Sequence, residues 1–526
     1  MDTYTTNSGM EGEKMSNLHQ WLVCFDTDQI KQYLLATNRL KEIRGGSALI
    51  AQLDVERKND LERRYGENNV VYSAGGGAAV LVPTEQEAQA LIAKIEREFR
   101  AHTVTASITG VYLPVDPTPG RFGAEMARAS RELRRAKASK AELACLPVEP
   151  YLRLCDSCGN HPAARRDQDG SGDWLCRGRL GPGDGDLPPQ DGSGDWLCLT
   201  CFRKREEGRE ARAGFFANFV AWSQSESWQK APDDLDAIGA LASPPGYVGF
   251  IALDGNHVGD LLTELPTIEE YRKFSEGLWK LVQEQTFKSL EKHCAPRDGI
   301  APFEIVLIGG DDVLLITSAD VAMEVALDIV QGFEEASQQL LQEVGLSGKR
   351  AKLTMAGGVV LAHADFPIPA MHTLAEALQK SAKRLCAKQK YQTGAIDFQV
   401  VTGSDTDLDA MRQGVPHRRP YTLGDLRYLL YHIRQLKDAD MPTSQLHAMY
   451  QALFEGAVKA QLASIATLGY LGRSKDKTRY NRLRQFFERF GVQLDGQLPP
   501  WDVARGKEEK RLVSALTDLV ELYPFI

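Results

Sequence analysis

FEIVLIGGDDVLLIT (303–317) reads as strand, tight turn, strand, with Gly309 and Gly310 at the turn and the carboxylates Asp311 and Asp312 directly after them. Two glycines let the backbone reverse sharply and let a ligand approach without Cβ interference. An isolated Gly-Asp cluster is ordinary turn chemistry, but this one lies between two apolar runs and follows a strand, YVGFIALD (247–254), that itself ends on a carboxylate, Asp254. A helix is expected around Tyr271–Leu290. Downstream come a helix at 321–341, a strand at 351–362, a basic helix at 373–390 and a last strand at 395–401. Strand, helix, hairpin, helix, strand, helix is a ferredoxin-like order.

The same order occurs earlier. WLVCF (21–25) reads as a strand, with a helix from Thr27 to about Leu53, and NNVVYSAGGGAAVLVP (68–83) as strand, glycine turn, strand. A helix (85–102), a strand (103–113) and a basic helix (126–141) complete the unit. A long internal repeat is a fold-level signal. Aligned on their glycines, Gly76-Gly77-Ala78-Ala79 faces Gly309-Gly310-Asp311-Asp312, so the first copy has methyl groups where the second has carboxylates. The expected fold class is α+β: two ferredoxin-like palm (nucleotidyl cyclase) domains, a zinc-binding insert between them and a C-terminal helical domain. The boundaries read as a flexible leader at 1–17, a degenerate first palm at 18–149, insert and linker at 150–244, a catalytic second palm at 245–417 and helices at 418–526.

Three carboxylates at one sheet edge repel one another. Two Mg²⁺ or Mn²⁺ ions resolve this, because hard cations take oxygen ligands and are completed by substrate phosphates. Such ions, roughly 4 Å apart, activate a ribose hydroxyl and stabilise leaving pyrophosphate. Asp254, Asp311 and Asp312 are therefore the candidate catalytic and metal-binding residues. The loop Gly255, Asn256, His257, Val258, Gly259 is expected to aim backbone N–H groups at a triphosphate. Gly309 and Gly310 form the turn beside it, and Lys383 on the closing basic helix suits phosphate charge. Lys137 occupies a comparable place in the first copy. No P-loop or GxGxxG fingerprint is present, which leaves Walker-type hydrolysis without support.

Cys155-Asp-Ser-Cys158 and Cys198-Leu-Thr-Cys201 are two CxxC half-sites, the pattern of a structural Zn²⁺ ribbon whose four thiolates leave no open position. The spacer is long because DGSGDWLC occurs at 169–176 and again at 191–198. Only the second copy completes CxxC, so Cys176 reads as a bystander, and Cys24, Cys145, Cys294 and Cys386 as packing residues. An odd count of nine cysteines and a polar N-terminus without an apolar h-region argue against a disulfide framework or a secretory signal. A cytoplasmic protein is expected. No apolar run approaches the roughly 20 residues that span a bilayer. At 526 residues the chain exceeds one core, and its net charge of −9 argues against a broad basic coat for nucleic acid while leaving room for a local basic groove.

With these residues in hand, the chain resembles the large polymerase-cyclase subunit of type III CRISPR effector complexes. The resemblance rests on LDGNHVG (253–259), LIGGDD (307–312), the CxxC pairs, SAKRLCAKQK (381–390) and NRLKEIRGGSALI (38–50). It implies ATP as substrate, cyclic oligoadenylates as second-messenger products in antiviral defence, guide RNA and other effector subunits as partners, and target RNA as activator. Asp311 and Asp312 then match the metal-binding pair, Asp254 the first-strand carboxylate, and Lys383 a triphosphate contact. Two departures stand out: nothing before Trp21 resembles the HD nuclease domain with which many members begin, and Asn256 stands where many carry a further acid. Two rivals follow from the residues themselves. One is a GTP-using enzyme like a diguanylate cyclase, to which the second palm and zinc insert are foreign. The other is a catalytically silent scaffold for an RNA-guided complex, with basic helices at 126–141 and 474–489.

Overall fold

The computed structural model describes residues 20–115, 120–140, 152–167, 194–210, 214–346, 348, 352–491, 499–505 and 510–526. The leader, Cys145 and Cys176 lie outside them. The first unit runs β1 (Trp21–Asp28), α1 (Ile30–Leu34), α2 (Leu40–Tyr65), β2 (Val70–Ala74), β3 (Gly77–Val82), α3 (Glu85–Thr103), β4 (Ser107–Pro114) and α4 (Phe122–Ser139). Its sheet has the order β2-β3-β1-β4 and is antiparallel throughout. The expected single helix from Thr27 to Leu53 is corrected here. β1 keeps pairing with β4 as far as Asp28 opposite Ser107, and the short α1 intervenes. α2 then runs on until Gly66, whose φ of +83° provides the stop that no earlier residue supplies.

A small module follows: β5 (Arg165–Arg166), β6 (Trp196–Leu197), α5 (Leu199–Glu210), α6 (Phe215–Ser223) and α7 (Leu235–Gly239). The second unit comprises β7 (Tyr247–Gly255), α8 (Val258–Leu262), α9 (Ile268–His293), β8 (Phe303–Gly309), β9 (Asp312–Ser318), α10 (Ala319–Glu343), β10 (Met355–His363) and α11 (Ile368–Lys388). Then come β11 (Ala395–Val400), α12 (Leu408–Arg412) and β12 (Tyr421–Thr422). The sheet order is β12-β11-β10-β7-β9-β8. Its last four strands repeat the first sheet's arrangement, and β11 extends it in parallel with β10. α9 opens on a capping box, Thr267 with Glu270, which satisfies two amides that a helix start leaves open.

The two units share one continuous apolar core, in which Leu22 and Leu81 of the first sheet join Ile251 and Leu315 of the second. Polar groups lock the contact. Arg272 of α9 donates to the carbonyls of Val70 and Asn68, both at 3.0 Å, and Arg44 of α2 pairs with buried Glu304 on β8. Tyr72 and Tyr271 stack at 6.3 Å. The C-terminal helices α13 (Leu423–Asp438), α14 (Thr443–Phe454), α15 (Ala457–Leu471), α16 (Thr478–Phe490) and α17 (Ala515–Leu522) dock through Asp518. This fully buried carboxylate accepts hydrogen bonds from Tyr421 Oη (2.6 Å) and from the amides of Arg418 and Arg419. None of the described helices is long and apolar enough to cross a membrane.

Candidate active site

β8 and β9 close a two-residue turn. Gly309 pairs with Asp312, leaving Gly310 and Asp311 at the tip, with Gly310 at φ +60°, a conformation that favours glycine. On the neighbouring strand Asp254 stands directly opposite Asp312, and the amide of Gly255 donates to the carbonyl of Asp311 at 3.2 Å. Gly255 is where a side chain has no room: a Cβ there would lie 2.7 Å from Asp311 Oδ2. The missing methyl leaves space for the Asp311 carboxylate beside Asp254 and Asp312. The tip of the first hairpin closes the crevice, with Gly75 packed against Gly309.

Protein cations answer part of this charge. Lys383 of α11 pairs with Asp254, and Lys31, from α1 of the first unit, reaches Asp312 Oδ1 at 3.1 Å. No ion pair to Asp311 forms among the described residues. Burial, then the negative charges of Asp254 and Asp312, push the Asp311 carboxyl up to about 7. Burial also raises Asp312, to about 6, with Lys31 pulling it down and Asp254 pushing it up. A crevice that makes carboxylates hold protons near neutrality demands positive charge, and oxygen donors suit Mg²⁺ or Mn²⁺. Two ammonium groups stand where that charge is called for.

The loop after Asp254 behaves differently from expectation. The amides of Gly255 and Asn256 are already engaged, the latter with the carbonyl of Thr354 at 2.8 Å. Neither amide is free to receive a phosphate. Asn256 is 4% exposed and its side chain donates to Thr354 Oγ1, so it faces the protein interior. Val258 is buried at the start of α8. His257, at φ +58°, pairs with Asp260 and sets its ring edge-on to Tyr391 at 4.2 Å. Open space surrounds the Cβ position of Gly259. The structure therefore gathers Asp254, Asp311, Asp312, Gly255, Gly309, Gly310 and Lys383, and turns Asn256 and Val258 away.

Strand register also corrects the alignment of the repeats. Asp26 pairs with Gly77 as Asp254 pairs with Asp312, and the amide of Thr27 donates to the carbonyl of Gly76 at 3.0 Å as Gly255 does to Asp311. Ala74-Gly75-Gly76-Gly77, not Gly76–Ala79, is the counterpart of Gly309–Asp312. The carboxylates are replaced by glycines, and the first copy retains Asp26 at the position of Asp254. Lys137 holds Asp26 at 2.8 Å as Lys383 holds Asp254. Sequence reading missed Asp26 and Lys31; matching CFDTDQIKQYLL (24–35) with ALDGNHVGDLLT (252–263) exposes Asp26, whereas Lys31 falls opposite Gly259 and carries no such signal.

The four cysteines converge. Sγ atoms of Cys155, Cys158, Cys198 and Cys201 all lie within 4.8 Å of one another, and Cys158 and Cys198 are 3.9 Å apart, close to the spacing of thiolates at about 2.3 Å from one tetrahedral ion. Contact with Cys155 draws the Cys158 thiol well below its ordinary range. The cluster could bind zinc. Its helix α5 crosses α2 backbone to backbone: a Cβ on Gly45 would sit 1.8 Å from the Lys204 carbonyl, and one on Gly208 1.9 Å from that of Lys41, which accounts for glycine in RGGSALI. Arg205 spans Glu42, Asp167 and Asp195 across this contact.

Fold and acid-bearing hairpin together define a two-palm α+β protein with a cysteine module and a helical C-terminal region. Residues 247–392 match the family Cas10/Cmr2, second palm domain. Among solved structures it is similar to Csm1 in T. onnurineus (TM-score 0.56, 14% identity, covering 96% of this chain and 69% of that one). It is similar as well to the Csm1-Csm4 cassette in complex with cA3 (0.56, 12%, 99% and 71%) and to that cassette in complex with one ATP (0.54, 14%, 96% and 70%). The chain thus spans about seven tenths of the length of these relatives. No match was found among curated protein sequences.

Proposed function

We propose that this chain is a metal-dependent nucleotidyltransferase that joins ATP through 3′–5′ phosphodiester bonds into cyclic oligoadenylate messengers, as part of type III CRISPR defence. The observation that carries this reading is Asp254 opposite Asp312 across β7 and β9, with Asp311 at the tip between them. Similarity to a Csm1-Csm4 cassette in complex with cA3 and with one ATP supports ATP as substrate. It also supports a partner subunit of the Csm4 kind; guide RNA in the assembly and target RNA as the trigger complete the proposal.

Asp254, Asp311 and Asp312 would hold two Mg²⁺ or Mn²⁺ ions. When bound, such ions lower the pKa of an attacking ribose hydroxyl and stabilise charge on leaving pyrophosphate. The protein's own contribution is positional. The turn at Gly310 presents both carboxylates to one edge, Gly255 makes the room, and Lys383, paired with Asp254, would meet a phosphate beside the acids. The cysteine cluster would hold a structural Zn²⁺. Residues 18–149 serve as the degenerate palm, 245–417 as the catalytic one and 418–526 as the helical domain.

The test is mass spectrometry of products from ATP and Mn²⁺, with each nucleoside triphosphate offered separately and with target RNA present or absent. Asp311→Ala with Asp312→Ala should lower product by on the order of a thousandfold or more while leaving the fold intact. Full activity in that variant would end the assignment, and a dinucleotide made from GTP alone would replace it with the rival cyclase.

A further inference from the structure

Lys31 belongs to a different domain from the carboxylate it holds. It sits on the five-residue α1 of the first palm, and its Nζ lies 3.1 Å from Asp312 Oδ1 in the second. The repeat shows that the fold does not require a lysine here. Asp26, Thr27, Gln29 and Lys31 occupy the positions of Asp254, Gly255, His257 and Gly259, and Gln29 and His257 both adopt a left-handed conformation, at φ +48° and +58°. The second palm makes the same turn with a glycine where the first carries Lys31.

α1 is also unusually well braced for so short a helix. Lys204 of the cysteine module, 1% exposed, donates its ammonium to the carbonyl of Tyr33 and lies 3.9 Å from the centre of the Tyr33 ring. Ser157, beside Cys158, bonds both Thr37 and Glu42 at the α1–α2 junction. The support of Lys31 thus runs through α1 into the cysteine module, and its ammonium ends on a carboxylate of the acid cluster.

We propose that Lys31 is a counter-ion supplied in trans by the first palm, a positioning residue that occupies Asp312 until a divalent cation displaces it. The inference rests on reading the three acids as a metal site. An ammonium on Asp312 stabilises the metal-free crevice and competes with the dication for the same oxygen; metal entry frees it at the mouth of the crevice, where phosphate charge arrives. The acid cluster is then complete only when the two palms are packed.

The experiment is Mn²⁺ binding to the full chain without nucleotide, followed by electron paramagnetic resonance or calorimetry. Lys31→Met should bind Mn²⁺ about five- to tenfold more tightly than wild type, since it removes the competing partner of a partly buried ion pair, while its turnover with ATP falls. Lys31→Arg should restore wild-type affinity. Lys31→Gln, which keeps a polar side chain, serves as a second neutral variant should Lys31→Met fold poorly. Mn²⁺ affinity in the neutral variants equal to or weaker than wild type overturns the inference alone. A wild-type protein that takes up no Mn²⁺, indistinguishable from Asp312→Asn, overturns the metal reading and this inference with it.

Discussion

The two palms share strand order, register and the aspartate–lysine pair at the end of the first strand, yet they finish their hairpins in opposite ways. In the first, the tip is satisfied by the protein itself. Buried Asp54 accepts the amide of Gly76 at 2.8 Å, and Arg57, paired with Asp54, donates to the carbonyl of Gly77. Nearby Asp28 lies below the ordinary carboxylate range: burial raises it, but hydrogen bonds from Ser107, Lys140 and Thr109 outweigh that. Burial pushes Asp54 itself up, with Arg57 and the amides of Gly76 and Gly75 pulling it back; in the second palm the tip carries two carboxylates that burial and neighbouring negative charge raise. Native proteins pair their buried charges; the first palm does so with internal partners, whereas the second pairs Asp254 and Asp312 with lysines and leaves Asp311 without an ion pair among the described residues.

A single position decides which kind of tip can form. A Cβ at Gly76 would meet Thr27 Oγ1 at 2.9 Å, so the Thr27 side chain fills the space that its counterpart Gly255 leaves to Asp311. Gly255→Thr should therefore convert the second palm into a copy of the first. With reacting groups displaced by an ångström or so, product formation should fall roughly a hundredfold or more, and Mn²⁺ binding should weaken with it, while circular dichroism stays unchanged. Normal activity in Gly255→Thr would show that the glycine is there for turn geometry alone and would break the comparison.

The second way to sharpen it is pH. Asp311 and Asp312 hold protons up to about 7 and about 6 in the metal-free site, and dications bind deprotonated carboxylates. Mn²⁺ affinity should consequently drop about tenfold between pH 7 and pH 6, with proton release on binding, and level off above pH 8. The sign follows from the direction of the shift: a raised carboxyl must lose a proton to bind metal, so acid weakens binding. A flat profile from pH 6 to 8 would mean that the crevice does not raise these groups.

Much of this was readable before the structure. Continuous apolar runs on either side of Gly309-Gly310 announce a buried hairpin, and the recurrence of the element order announces two palms. The register of the repeat was not readable from its glycines, because Gly75, Gly76 and Gly77 offer three ways to align a turn; pairing partners on β1 and β7 remove the ambiguity. Nor was the fate of the loop after Asp254. Whether Asn256 faces substrate or core depends on Thr354, nearly a hundred residues away and just ahead of β10. Lys31 hid for a related reason: one lysine on a short helix reads as a solvated face until another domain packs against it.

Asp26 provides the finest test of the comparison, because it shares register and partner with Asp254 but not surroundings. Its side chain is 54% exposed, it has glycines instead of carboxylates across the strand, and Lys137 stays anchored to the carbonyl of Thr27 at 2.7 Å without it. An exposed ion pair contributes about 0–1 kcal/mol. Asp26→Asn should therefore leave Mn²⁺ affinity unchanged and turnover within about twofold of wild type, whereas Asp254→Asn should weaken both severely. If the two substitutions cost the same, the position matters through something both palms retain, such as the lysine that follows each aspartate onto the closing helix. The first palm would then be a working half of the site, not a support for it.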